Sequence, residues 1–250
     1  MRLKVINSNS RGNAYLLEND QEALLIECGV RFELIKRALD FNLSKVVGAI
    51  ITHSHGDHCS AVKDVTHAGI NVYATEGTCE ELLEKWNANP HRLKPRHLGI
   101  VFKIGNFQII PFRTEHDCKE PCGFLIKHEE CGVTLFLTDT VYSPFVFWGL
   151  NNIIVEANYC EDILEERRRS GSTIEMLRDR VIESHMSLQN CKELLAANDL
   201  SRVNHIVLIH LSDKHSHSER FKTEIEQLTG KTVTVADANM IIENFNKCAF

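Results

Sequence analysis

Three imidazoles and a carboxylate fall within six residues of the run Thr52-His53-Ser54-His55-Gly56-Asp57-His58. Neutral imidazole and carboxylate oxygen suit Zn, Mn or Fe. His53 and His55 are two residues apart, so on an extended segment they point the same way and can grip one ion. Asp57 and His58 lie past Gly56, whose missing Cβ permits a sharp turn, and can reach a second ion. A solvated, histidine-rich loop is the plain alternative. With 13 His in 250 residues, however, an HxHxDH cluster arises rarely by chance. The chemistry implied is hydrolysis at a pair of metal ions. Water held between ions about 3.5–4 Å apart falls in pKa from about 15.7 to about 7, and so becomes a nucleophile at neutral pH.

The loop needs something to hold it. It directly follows Val46-Val47-Gly48-Ala49-Ile50-Ile51, a run with the length and β-branched content of a buried parallel strand. The turn after such a strand lies at the carboxyl edge of its sheet, where open α/β sheets gather their ligands. Four further polar residues sit at the ends of apolar runs: His116, Asp139, His185 and His210. Each alone reads as a capping or satisfied histidine or a turn aspartate. Together with the loop they supply enough donors for two ions.

Further strands are expected over 3–6, 14–18, 23–26, 70–74, 101–104, 107–111, 124–127, 133–137, 153–156, 205–209 and 232–235. The loop over 7–13 is dense in hydrogen-bonding side chains. Helical spacing marks Phe32, Ile35 and Leu39, then 61–68, then Cys79, Leu82, Leu83 and Trp86 behind a capping box of Thr78 and Glu81. The region 161–198 reads as helical. Its stripes are Ile174, Leu177 and Val181, then Leu188, Cys191, Leu194 and Leu195 behind an N-cap at Ser187; both are core rather than a cofactor box. Arg167-Arg168-Arg169 reads as a solvated face balanced by Glu165 and Glu166. A last helix carries Phe221, Ile225 and Leu228. His91, Arg92, Lys94, Arg96 and His97, interrupted by Pro90 and Pro95, form an exposed basic loop that could contact phosphate. Two mixed sheets with helices outside, a four-layer αββα sandwich of α+β class (α/β by some schemes), accommodates this order.

The formal net charge of −6 argues against a generally basic nucleic-acid surface but leaves room for a local groove. The nine cysteines are odd in number, scattered and without a CxxC pair, which reads as free thiols in a reducing compartment. The chain opens without a signal-like apolar segment, and no run approaches the ~18 apolar residues of a membrane span. The expectation is a soluble cytoplasmic protein of one domain over residues 1–250, with no membrane partner. Its oligomeric state is open.

HxHxDH after a hydrophobic strand resembles the signature of the metallo-β-lactamase fold. Over nearly the whole chain the sequence looks most like the YycJ/WalJ branch of metallo-β-lactamase-fold hydrolases, which lack an inserted β-CASP domain. The segments that carry this are Ser8-Asn9-Ser10-Arg11-Gly12-Asn13, Thr52 to His58, Tyr73-Ala74-Thr75-Glu76-Gly77-Thr78, His116-Asp117 with Glu120-Pro121-Cys122-Gly123, Thr138-Asp139, Val155-Glu156-Ala157-Asn158, His185-Met186-Ser187 and His210-Leu211-Ser212. HxHxDH alone marks only the superfamily; the Tyr73–Thr78 run and the two His-x-Ser elements are more specific. Two positions depart from the branch: Tyr159-Cys160 stands where His-Asp is usual, and Ser184 where Gly is usual. No ligand is lost by either departure, so they bear on substrate choice.

The resemblance implies two divalent ions, Zn or Mn with Fe also compatible. His53, His55 and His116 would hold one, Asp57, His58 and His210 the other, and Asp139 would bridge them. Catalytic roles fall on Asp57, Asp139 and His185, the last near the scissile phosphate. Substrate contacts fall on Ser8, Ser10, Asn13, His185 and Ser212. The implied activity is phosphodiester hydrolysis of nucleic acid, DNA favoured over RNA, as a 5′-to-3′ exonuclease. Two alternatives stay open: a small-molecule hydrolase acting on a cyclic nucleotide, thioester or lactone, and a metal-stabilised binding module without turnover.

Overall fold

The computed structural model describes residues 1–171 and 175–248. In chain order the first sheet takes β1 (Arg2–Asn9), β2 (Gly12–Glu18), β3 (Ala23–Ile26), β4 (Val46–Ile50), β5 (Val72–Ala74) and β6 (Leu93–Pro95). The second takes β7 (Phe102–Ile104), β8 (Phe107–Arg113), β9 (Cys122–His128), β10 (Gly132–Leu137), β11 (Leu150–Glu156), β12 (His205–Ile209) and β13 (Thr232–Val235). The chain then returns to the first sheet as β14 (Met240–Ile242), so the orders are β14-β1-β2-β3-β4-β5-β6 and β13-β12-β11-β10-β9-β8-β7. Neighbours from β3 to β6 and from β10 to β13 are parallel. Strands β8 to β10 alternate in direction, so β8 also runs with β10.

Period-two burial divides the side chains into layers. Leu17, Tyr15 and Ile26 point between the sheets and meet Phe107, Phe124, Phe136 and Ile154. Their neighbours Leu16 and Leu25 point the other way, to the helices α1 (Phe32–Ala38), α2 (Gly56–Cys59), α3 (Val62–His67) and α4 (Glu76–Trp86). Beyond the second sheet, Leu135, Ile153 and Val155 pack under the last helices. Those are α5 (Glu161–Arg169), α7 (Leu188–Ala197) and α8 (Ser218–Thr229), with α6 (Glu175–Ser184) against α5. Strands β2 and β11 are buried along their whole length, as strands covered on both faces must be. The result is the expected αββα sandwich.

Several local expectations change. The capping box is displaced by one turn: Thr75, not Thr78, is the N-cap of α4, and its Oγ1 accepts from Thr78 N at 3.3 Å. Glu81 is thereby free to accept from Ser54 Oγ at 2.5 Å. The basic segment is not wholly loop. Leu93–Pro95 pairs with β5 as an edge strand, where a proline without an N–H is tolerated. Arg96 stacks over Tyr73 and Phe102, 5.0 Å from each ring centroid. Strand β14 lies outside the expected strands, because three residues, of which Ile242 alone is buried, are too few to carry a readable period. Ile174 and the side chain of Leu177 lie outside the described residues. Val181 is half-buried rather than core.

Candidate metal centre

The carboxyl ends of β3, β4, β8, β10, β11 and β12 share one edge of the sandwich, and the chemistry-bearing residues gather there. Beyond Ile50 the chain stays extended through His53 and His55, and Gly56 opens the single turn α2 that carries Asp57 and His58. Helix α4 braces this loop from outside: Trp86 Nε1 donates to Ser54 O at 2.8 Å and Ser54 Oγ donates to Glu81. Gly29 presses on it from beneath, and a Cβ there would lie 1.7 Å from Asp57 O, so no other residue fits.

Glu27, Asp139 and His210 follow β3, β10 and β12 with φ of 61°, 49° and 55°. Non-glycine residues in the left-handed region cost on the order of 1–3 kcal/mol and persist only when their surroundings hold them. Each is held by its own N–H. Glu27 N donates to Ile50 O at 2.9 Å, Asp139 N to Glu156 Oε2 at 2.8 Å and His210 N to Ser8 Oγ at 3.0 Å. The turn swings each side chain from the strand end towards the shared edge.

Four groups of donors converge: His53, His55 and His116; Asp57, His58 and His210; His53, His58 and Asp139; and Asp139, Glu156, His185 and His210. Within each group the ligand-type atoms lie within 4.8 Å of one another. His55 Nδ1 and His116 Nε2 are 3.0 Å apart. Asp57 Oδ2 is 3.4 Å from His58 Nε2 and 3.3 Å from His210 Nε2. Asp139 lies between the groups, with Oδ2 3.1 Å from His58 Nε2 and Oδ1 4.0 Å from His116 Nε2.

The residues fit a pair of divalent ions. His53 is buried, its Nδ1 bonds to Thr52 Oγ1 at 2.8 Å, and its Nε2 has no hydrogen-bond partner among the described residues. A buried polar atom left unsatisfied costs about 1–3 kcal/mol, and an ion would satisfy it. The far nitrogen of His210 meets a carboxylate, the kind of partner that sets the tautomer and orientation of metal-binding histidines. His210 Nδ1 donates to Glu156 Oε1 at 2.9 Å, and Glu27 Oε2 is 3.7 Å from His58 Nδ1 while Glu27 Oε1 accepts from Thr52 N.

Burial opposes charge on every imidazole here, and the carboxylates decide which rings overcome it. For His58, burial is outweighed by Asp139, Asp57 and Glu27, and the pKa stands well above its ordinary value. His210 is likewise raised to about 9 against burial, by Asp139, Asp57 and Glu156. His185 is raised to about 10 against burial, by Glu156 and Asp139. For His53 and His116 burial wins, and both are lowered. Asp57 and Asp139 are lowered by the surrounding imidazoles despite burial.

The seven expected ligands are therefore all brought to one place. Of the expected substrate contacts, Ser10, His185 and Ser212 line a cavity of about 580 Å³ together with His55, Asp57, His116 and Asp139. Ser8 and Asn13 do not line it. Ser8 is buried beside Tyr15 and accepts from His210 N, while Asn13 Nδ2 donates to Asp57 O at 3.3 Å. They hold the ligand loops because their polar atoms are already engaged by the protein.

Two carboxylates outside the expected site set also belong to it: Glu27 and Glu156. Both are completely buried. The signal was present, since each ends an apolar strand where an unpaired charge would be very costly.

A model of the Metallo-beta-lactamase superfamily matches residues 9–203. The chain is 25% identical over 246 residues to the exodeoxyribonuclease YycJ of Bacillus anthracis, covering 91% of this chain and 89% of that protein. It is 26% identical over 231 residues to the exodeoxyribonuclease WalJ of Streptococcus pneumoniae, covering 87% and 84%. Among solved structures, the metallo-beta-lactamase fold protein YhfI from Bacillus subtilis superposes with a TM-score of 0.74 at 16% identity, over 96% of this chain and 98% of that one. Human tRNase Z, short form, gives 0.64 at 17% identity, over 97% and 99%. These two likenesses show the fold. With the matched superfamily model and the αββα architecture in agreement, the chain belongs to the metallo-beta-lactamase superfamily of metal-dependent hydrolases, in a YycJ/WalJ-like branch.

Proposed function

We propose that the protein is a metal-dependent phosphodiester hydrolase of the nuclease type, acting as a 5′-to-3′ exonuclease on DNA in preference to RNA. It would work in the cytoplasm as one domain over residues 1–250, with two divalent ions, Zn or Mn. His53, His55 and His116 would hold one ion and Asp57, His58 and His210 the other, with Asp139 shared. When bound, such ions lower the pKa of water and stabilise negative charge on the oxygens of an in-line displacement.

The observation that carries this reading is the placement of His185. Its Nδ1 lies 2.8 Å from Glu156 Oε1 and 3.2 Å from Asp139 Oδ1, and the ring reaches the cavity from the opposite chain segment to the HxHxDH loop. With Nδ1 turned to Glu156 and Asp139, the ring presents a hydrogen-bonding group to an anionic substrate. A phosphodiester fits that group, and the same ring can hand a proton to the departing oxygen. General acid catalysis of this kind contributes about 10²–10⁴-fold. The names of the YycJ and WalJ relatives support a deoxyribonuclease.

A second reading, hydrolysis of a small cyclic nucleotide, thioester or lactone, is favoured by the cavity volume of about 580 Å³, ordinary for small-ligand sites. One assay separates the two. Metal-stripped protein resupplied with Mn or Zn is given end-labelled single- and double-stranded DNA and RNA, with Asp139→Ala as control. Stepwise shortening from the 5′ end, lost in the variant, is expected. Intact polymers alongside cleavage of a small phosphodiester would overturn the nuclease reading in favour of the second.

A further inference from the structure

Three cations reach the same cavity from three separate parts of the chain: Arg11 from the β1–β2 turn, Arg180 from α6 and Lys214 from the loop after β12. Arg180 and Lys214 are exposed, and neither makes an ion pair among the described residues. Their neighbours are occupied differently; Arg178, for instance, binds Asp179 at 2.8 Å. Arg11 Nη2 lies 3.4 Å from Asp213 Oδ2, with the two side chains 82% and 54% exposed. An ion pair that open to solvent is worth little, so it exchanges readily for a stronger anion.

We propose that Arg11, Arg180 and Lys214 form a second phosphate subsite, which binds the phosphate flanking the scissile one on a single nucleic-acid strand. The inference rests on the nuclease reading and deepens it. Acidic side chains outnumber basic ones by 34 to 28 in this chain, so general attraction cannot bring a polyanion to the cavity and local cations must. Guanidinium offers two parallel N–H donors to a phosphate, and the lysine ammonium adds a point charge. The cavity volume of about 580 Å³ suits the end of one strand rather than the length of a duplex. Asp213 acts as a placeholder: Arg11 rests on it and turns to phosphate when the strand enters.

The test uses the Mn-loaded enzyme, a 5′-phosphorylated single-stranded DNA oligonucleotide, and a salt series from about 50 to 200 mM. Arg180→Ala and Lys214→Ala are each expected to raise KM about tenfold, with the change carried by KM rather than kcat. Each should also flatten the dependence of log(kcat/KM) on log[salt] by about one unit. Arg180→Lys, which keeps the charge, should restore the slope. Asp213→Asn should lower KM, because it releases Arg11 and removes a repelling charge. Unchanged KM and slope in the Arg180→Ala, Lys214→Ala double variant, while the wild type still shortens DNA, would overturn the subsite and leave the nuclease reading standing. A wild type that shortens no polynucleotide overturns both.

Discussion

The carboxylate of Glu156 lies 2.9 Å from Nδ1 of His210, on the far side of the ring from Asp57, which sits 3.3 Å from Nε2. One buried side chain thus sets how that ring faces its cavity. The same Oε1 accepts from His185, and Oε2 accepts from the backbone of Asp139 and Met186. Partners of this kind typically cost 10–100-fold in metal affinity or activity when lost. Glu156→Gln should therefore weaken ion binding by about that factor, read by titration with a competing metal indicator. Wild-type affinity in the variant would refute the orienting role.

His58→Ala and Asp139→Ala should abolish hydrolysis while leaving far-ultraviolet circular dichroism unchanged, since neither side chain packs in the three apolar cores. Substantial turnover in Asp139→Ala would rule out a shared ligand at that position.

For His185→Ala we expect turnover to fall by about 10²–10⁴-fold with both ions retained. Metal content per chain, measured on the purified variant, is the deciding number. Loss of one ion equivalent would make His185 a ligand instead.

Ion uptake should release protons. The pKa values of His185 and His210 stand at about 10 and about 9, so both rings are protonated at pH 7, and His210 must lose its proton to bind an ion. Adding Zn to stripped protein in weak buffer should lower the pH, and apparent affinity should fall as the solution is acidified. Each bound ion, in excess at about 1,000 times its Kd, should stabilise the fold by about 4 kcal/mol. A thermal midpoint indifferent to chelator would contradict this.

Far from the cavity, the buried carboxylate of Glu18 binds Arg2 at 2.7 Å and Lys4 and Lys45 at 3.0 Å each. Burial raises its pKa, the three cations lower it by more, and the net shift is downward. Its contribution is therefore present above the ordinary glutamate pKa and lost as pH falls through the lowered value. Glu18→Gln should cost about 1–2 kcal/mol at pH 7, because the three cations it leaves are partly exposed and can be solvated, and the gap should narrow in acid. Equal denaturation midpoints at pH 7 would dismiss the cluster as a stabilising device.

Much of the architecture was legible because burial imposes a period. Strands such as β2 and β12 sit close to where their apolar runs lie, and Ser187 caps α7 as its residue type suggests. Where no period exists, legibility fails. Strand β14 is three residues long, and it exists only because β1 offers it an edge. Thr75 rather than Thr78 is the cap because its backbone is still extended, and the carbonyl of Glu120 accepts from both hydroxyls across 45 and 42 residues of sequence.

The sequence by itself determined the chemistry at hand: HxHxDH is local, and its spacing alone brings imidazoles and a carboxylate within reach of one another. It also marked His116, Asp139, His185 and His210 as polar residues ending apolar runs, and the resemblance supplied their grouping. Only the tertiary structure decided what stands behind the ligands. Glu27 lies beside His58, Glu156 bonds to His210, and Ser8 bonds to the backbone of His210 across 202 residues. Only the fold, likewise, brings Arg11, Arg180 and Lys214 to one cavity. The reason is physical. A ligand's identity is a property of its own side chain, whereas orientation, charge and access are set by neighbours that only the packing of two sheets can supply.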